Sequence, residues 1–166
     1  MKKRLGSSLF VRNIIFGVED SLVSTVGLLS GIAYTGMPHR LILATGLILI
    51  LVEAISMAIG SFLSEESVEE FESGKNAKGG GPALGALAML VSYVLAGSVP
   101  LAPYLLLTGD TALAWSVSLS LGVLAILGYV QARLSGVTPL RRALRMAILG
   151  GFAILVGVTV GRVFGA

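Results

Sequence analysis

Asp20 and Glu53 are acids set inside long apolar runs, and Met57 stands one helical turn after Glu53. An acid at the centre of a membrane helix costs about 2.5–3.5 kcal/mol on insertion scales. Such residues therefore mark a pathway, a relay or a partner. Two carboxylates alone suit a proton, Mg²⁺ or Ca²⁺. A thioether beside them adds a soft donor and tilts preference toward a transition metal such as Fe²⁺. Because carboxylates also take up protons, the set offers a route to metal–proton exchange. Ser56 and Gly60 flank the Glu53–Met57 face, and Gly17, Asp20, Ser24, Gly27 and Gly31 form a small, polar stripe on the preceding segment. Plainer readings compete. Met57 can be ordinary packing, and Asp20 with Glu53 can be a structural pair sharing a hydrogen bond or a proton. Glu19 points elsewhere on its helix, either as an additional site residue or toward solvent or lipid headgroups.

A second acidic group follows. Glu65, Glu66, Glu69, Glu70 and Glu72 crowd the stretch after Ser64. Like charges at i, i+4 destabilise a helix slightly, and a metal or a basic partner relieves that. The stretch reads as a continuation of the second helix into water, with cation capture or a solvated face as its alternatives. Gly74 and Gly79–Gly81 then make a flexible return.

The elements that must position these groups are membrane helices. Of 166 residues, 55% are hydrophobic and 13% are charged, against about 25% charged in an ordinary soluble domain. Spanning a bilayer takes roughly 20 mostly apolar residues. Five segments have that length: 14–37, 41–63, 82–107, 112–130 and 143–164. The longest connection is the acidic stretch 64–81, and no second domain fits, so the expectation is a single all-α domain of five transmembrane helices. Lys2, Lys3, Arg4, Arg12, Lys75, Lys78, Arg133, Arg141, Arg142 and Arg145 fall on one side, against Arg40 and Arg162 on the other. This bias predicts a cytoplasmic N-terminus and an outer C-terminus. Tyr34, Tyr104 and Trp115 fall near the outer interface and Tyr129 near the inner one. The basic start resembles a signal peptide, but acids inside the run and the lack of a small-residue cleavage pattern predict an uncleaved first span.

On this topology Glu53 lies about eleven residues from either end of its span, roughly 16 Å from water, and Asp20 roughly 10 Å deep. Met57 sits at Asp20's depth on the second span, so the two face each other if spans one and two pack antiparallel. Pro100 and Pro103 disturb the end of the third span, either as a tapering helix end or as a backbone-carbonyl cation site. Gly157, Gly161 and Gly165, like Gly27 and Gly31, have the four-residue spacing that lets membrane helices approach closely. That spacing alone leaves open whether the contact lies within one subunit or between two.

Several classes are excluded. The chain has no Cys, so disulfide scaffolds, zinc ribbons and thiol nucleophiles are out. His39 is the only histidine and reads as an incidental loop residue. There is no H-E-x-x-H, no Gly-x-Ser-x-Gly and no phosphate loop, and the sole other aspartate, Asp110, lies in an outer loop. An enzyme is not expected and no catalytic residue is assigned. The net charge of +3 reads as membrane topology, not as a nucleic-acid face.

At these residues the sequence resembles the vacuolar iron transporter family. Gly17-Val18-Glu19-Asp20-Ser21-Leu22-Val23-Ser24 is similar to its Gly-x-x-Asp-Gly-Leu-Val-Ser. Glu53-Ala54-Ile55-Ser56-Met57-Ala58-Ile59-Gly60 is similar to its Ala-Ile-Ser-Met-x-x-Gly, and Pro100-Leu101-Ala102-Pro103-Tyr104 to its Pro-Leu-x-Pro-Tyr. The order of the motifs, the helix count and the inner loop match over nearly the whole chain. The resemblance implies a homodimer that moves Fe²⁺ out of the cytoplasm in exchange for protons. Asp20 and Met57 stand where the family has its translocation residues, and plant members carry an acid at the place of Glu53. The metal is then cargo, with Mn²⁺ as a second candidate, and no permanently bound cofactor is expected. The partners implied are the bilayer, the metal ion, protons and a second copy. The compartment is the cell membrane of a prokaryote or a vacuolar or other organelle membrane of a eukaryote. The chain departs from the pattern in three places. Ser21 replaces Gly, and Gly60-Ser61-Phe62 stands where Gly-Glu-Tyr is common. The large cytoplasmic metal-binding domain of the family is reduced to the stretch from Ser64 to Gly81. The alternative is a non-transporting membrane scaffold or complex subunit whose buried acids pair with a partner helix.

Overall fold

A computed structural model describes residues 2–77 and 80–165, with side chains from Leu9 onward. The expected inner-side residues Lys2, Lys3, Arg4, Lys78 and Gly79 lie outside the described side chains. The described chain forms α1 (Lys2–Ala33), α2 (His39–Ser73), α3 (Gly80–Leu106), α4 (Gly109–Ser135) and α5 (Pro139–Phe164), with no strand among the described residues. Every helix is long and apolar enough to cross a bilayer. The outer surface is apolar as well: Ile48, Val52, Ile55 and Ile59 of α2 and Ile148, Phe152 and Leu155 of α5 are all more than half exposed. Water penalises such a surface by about 25 cal/mol per Å² of apolar area, whereas lipid tails accept it. The chain is an all-α integral membrane protein.

The helices overrun the expected spans, most of all at the N-terminus of α1, at both ends of α4 and at the start of α5. Hydropathy marks the hydrocarbon layer, but helical hydrogen bonds continue past it into the interface, where Arg12, Arg133 and Arg141 are exposed. The α2 extension forms as expected. Its 35 residues span about 52 Å against a hydrocarbon core of about 30 Å, so the surplus projects beyond the bilayer. It stops at Gly74, whose φ of 63° allows a left-handed cap, with its N–H bonded to the Glu70 carbonyl.

α3 occupies the middle of the bundle and packs against both α1 and α2, while α5 packs against α1 and α4. α1 and α2 pack less extensively on each other than either does on α3. α3 approaches both closely. A Cβ at Gly97 would lie 2.6 Å from Ser21 Oγ and 2.8 Å from Ile50, so α3 wedges behind both helices and leaves a groove in front.

The small-residue stripes resolve to one contact within the chain. Gly27 and Gly31 of α1 lie against Ala153, Gly157 and Gly161 of α5, backbone on backbone. Pro100 and Pro103 sit inside α3, which continues to Leu106, and the Pro100 carbonyl accepts a 2.7 Å bond from Ser116 Oγ. That carbonyl is therefore already occupied, which favours a kinked or tapering helix end over a carbonyl cation site. One loop expectation needs correction. His39 opens α2 instead of lying in a loop, and its ring lies 6.3 Å from that of Tyr104, which is buried within the bundle.

A polar clasp ties α1 to the second half of α2. Asn13 of α1, fully buried, donates from Nδ2 to Ser61 Oγ (2.8 Å) and Glu65 Oε1 (2.5 Å) of α2. Gly85 of α3 leaves room for the carboxylate, since a Cβ there would lie 2.5 Å from Glu65 Oε2. Removing one partner of a buried charged bond costs about 2–3 kcal/mol. Asn13→Leu is therefore expected to lower the thermal unfolding midpoint in detergent by several degrees. The double variant with Glu65→Leu should recover part of that loss. No recovery would show that the clasp is not what holds these helix ends.

Candidate functional site

Asp20 and Glu53 come together. Both line one groove of about 730 Å³, with α1 as its floor and α2 and α5 as its walls. Ser24 and Thr35 add hydroxyls, Gly27 and Gly31 keep the floor low, and Leu49, Phe152 and Val156 make apolar walls. Helical periodicity explains the α1 contribution: Asp20, Ser24, Gly27 and Gly31 share one face, and α3 and the clasp hold that face toward the gap between α2 and α5.

Glu53 does not hang free in this groove. Tyr93 of α3, wholly buried, donates its phenolic O–H to Glu53 Oε2. Tyr93 Oη also lies 2.9 Å from Ser24 Oγ, and Ser21 Oγ donates to the Tyr93 carbonyl at 2.6 Å. One tyrosine thus links α1, α2 and α3 at the site and fixes the direction of the Glu53 carboxylate. Tyr93 was missed by sequence reasoning. A single tyrosine in an apolar span looks like ordinary packing, and only its partner 40 positions earlier gives it a role.

The other expected residues divide. Met57 is half-buried and continues the Leu49–Glu53 stripe by one turn, but it does not line the groove itself. Ser56 is a correction: it is exposed on the face shared with Val52, Ile55 and Ile59, because one residue on from Ile55 still lies on the lipid-facing arc. Glu19 lines a different cavity with Arg141, Arg142 and Arg145, since adjacent residues on a helix point about 100° apart.

The acidic extension does not form a single-chain metal cage. Among the described residues, no three His, Cys, Asp or Glu side chains converge on a metal position. Glu65 is withdrawn into the clasp with Asn13, which corrects its place in the capture group. Glu66 and Glu69 are half-buried, while Glu70 and Glu72 are exposed. Glu70 Oε1 accepts from the Ala77 N–H at 3.3 Å, which ties the return loop to the helix end.

The arrangement pairs two carboxylates in an apolar groove, one held by a phenol, with a thioether a turn away. Oxygen donors of this kind bind a small divalent cation or a proton, and the thioether favours a softer metal. Comparison with known proteins points the same way. The profile of the VIT family matches residues 11–79 and 73–162, so the two matched stretches meet at the α2–α3 connection. "Vacuolar iron transporter homolog 4" of Arabidopsis thaliana is 32% identical over 169 residues, covering 89% of this chain and 84% of that protein. "Vacuolar iron transporter homolog 1" of Oryza sativa subsp. japonica is 30% identical, covering 94% and 74%. "Vacuolar iron transporter 2" of the same rice is 26% identical, covering 92% and 86%. That last alignment runs over 212 residues, longer than this chain's 166, so the rice protein carries inserted sequence that this chain lacks.

Proposed function

Since the chain belongs to the VIT family, we propose that this membrane metal-ion transporter carries a divalent transition-metal cation, Fe²⁺ first and Mn²⁺ second, out of the cytoplasm in exchange for protons. The observation that carries the reading is the groove shared by Asp20 and Glu53, with the Tyr93 hydroxyl on the second carboxylate. Exposed basic residues gather at the end of the bundle where α1 starts, and by the positive-inside rule that end faces the cytoplasm. Glu66, Glu69, Glu70 and Glu72 raise the local cation concentration there. The ion then passes Met57 and reaches Glu53 and Asp20, where it displaces protons, and protons entering from the far side release it. Ser56 and Glu19 stand outside this route.

The groove is open along its length, with Phe152 and Val156 exposed on its rim. That supports a homodimer in which a second copy covers the groove and contributes its own acidic extension.

The test is uptake into liposomes that enclose a metal-quenched dye, with a pH dye in parallel. Wild-type vesicles should take up Fe²⁺ and Mn²⁺ and move protons in the opposite sense. Metal uptake with no proton movement would rule out exchange, and no uptake of either metal would rule out the cargo. Tyr93→Phe should slow uptake about tenfold, the worth of one hydrogen bond to a charged group, while leaving the fold intact.

A further inference from the structure

We infer that the cavity at the α4–α5 turn is a binding site for the headgroup of an anionic phospholipid. It has a volume of about 1060 Å³ and lies apart from the transport groove. Arg141, Arg142 and Arg145 line it, and Glu19 is its only acid. Among the described residues none of the three guanidiniums has an ion-pair or hydrogen-bond partner, although each is exposed. By contrast, Arg133 on α4 stacks on and bonds to Tyr129, and Arg162 stacks on Tyr34. A guanidinium fork matches phosphate oxygens two at a time, and three forks against one carboxylate leave a net positive cavity.

The rest of the lining identifies the phosphate as that of a lipid. Ile148 and Leu149 continue the cavity down α5, whose apolar stretch is the least buried of the five helices. The headgroup therefore sits at the arginines while its chains lie along an apolar helix. Positive charge also selects among lipids. A choline headgroup would bring its own cation against the arginines, whereas a glycerol headgroup leaves the phosphate charge uncompensated. An acidic peptide segment is the other anion at this end of the bundle, but a charged peptide has no apolar chain to lay along Ile148 and Leu149.

Native mass spectrometry of the whole chain in mild detergent, titrated with phosphatidylglycerol or phosphatidylcholine, tests this. Wild type should retain phosphatidylglycerol at least about tenfold better. Each Arg→Gln change at 141, 142 or 145 should weaken retention about fivefold, as expected for one basic residue near an anionic headgroup. Glu19→Gln should strengthen it several-fold, an increase that a general loss of structure does not produce. Arg12→Gln, an exposed arginine outside the cavity, should stay within about twofold of wild type. Should one arginine variant fail to fold, the remaining Arg→Gln variants and Glu19→Gln still carry opposite expected signs. Equal retention by wild type and the arginine variants overturns the assignment, as does an Arg12→Gln loss as large as theirs. Full displacement by millimolar inorganic phosphate would mark a free-anion site instead, and cross-links from α5 to the acidic extension of a second copy would mark a protein contact. Either result overturns the lipid site.

Discussion

Liposomes carrying Asp20→Ala or Glu53→Ala are expected to take up Fe²⁺ at least about 100-fold more slowly than wild type. Residues that only support a metal ligand typically cost 10–100-fold when changed, and loss of the ligand itself should reach the upper end or beyond. The two acids share one groove, so their effects should not multiply: once one is gone, the second substitution has little left to remove. Glu53→Gln separates charge from position, because its amide oxygen can still accept from Tyr93. If Glu53→Gln transports like wild type, the carboxylate acts only as a hydrogen-bond acceptor and the proposed exchange is wrong. Asp110→Asn, at the exposed start of α4, should be silent and controls for expression and insertion.

The second large effect concerns assembly of the bundle. Gly31→Ala would place a Cβ 2.7 Å from the Gly157 carbonyl oxygen, and no flexible side chain is there to move aside. The two helices would have to separate along the whole stripe, which also forms the groove floor and wall. The cost should exceed about 4 kcal/mol, the range where single substitutions prevent folding, and Gly157→Leu should be worse. Gly27→Ala is expected to be mild, since its Cβ would meet the Ala153 carbonyl at 3.3 Å. Gly60→Ala and Gly122→Ala meet nothing within 4 Å and should stabilise by about 0.5–1 kcal/mol through the helical preference for Ala. Fluorescence size-exclusion profiles and thermal midpoints in detergent read this series. A folded, monodisperse Gly31→Ala would show that α1 and α5 do not pack this closely.

The sequence by itself determined the membrane class, the five helices and the presence of acids that lipid cannot tolerate. Those properties are local: apolar length sets a span, and the desolvation cost of a carboxylate does not depend on its neighbours' identity. It also determined which residues share a face of one helix, because helical periodicity is fixed by backbone geometry. Asp20, Ser24, Gly27 and Gly31 were legible for that reason. Which helix meets that face is decided only when all of them pack. Depth counting matched Asp20 with Met57, whereas the groove is lined by Asp20 and Glu53, and Met57 stands one turn beyond its lining. Glu65 read as one of five glutamates offered for cation capture, yet Asn13, 52 positions away, draws it into the clasp. Glu19 and Asp20 are neighbours in sequence and open onto different cavities. The glycine spacing announced a close approach, and only the packed bundle named its partner as α5 of the same chain. In each case the deciding quantity is a distance between helices, which periodicity within one helix does not encode.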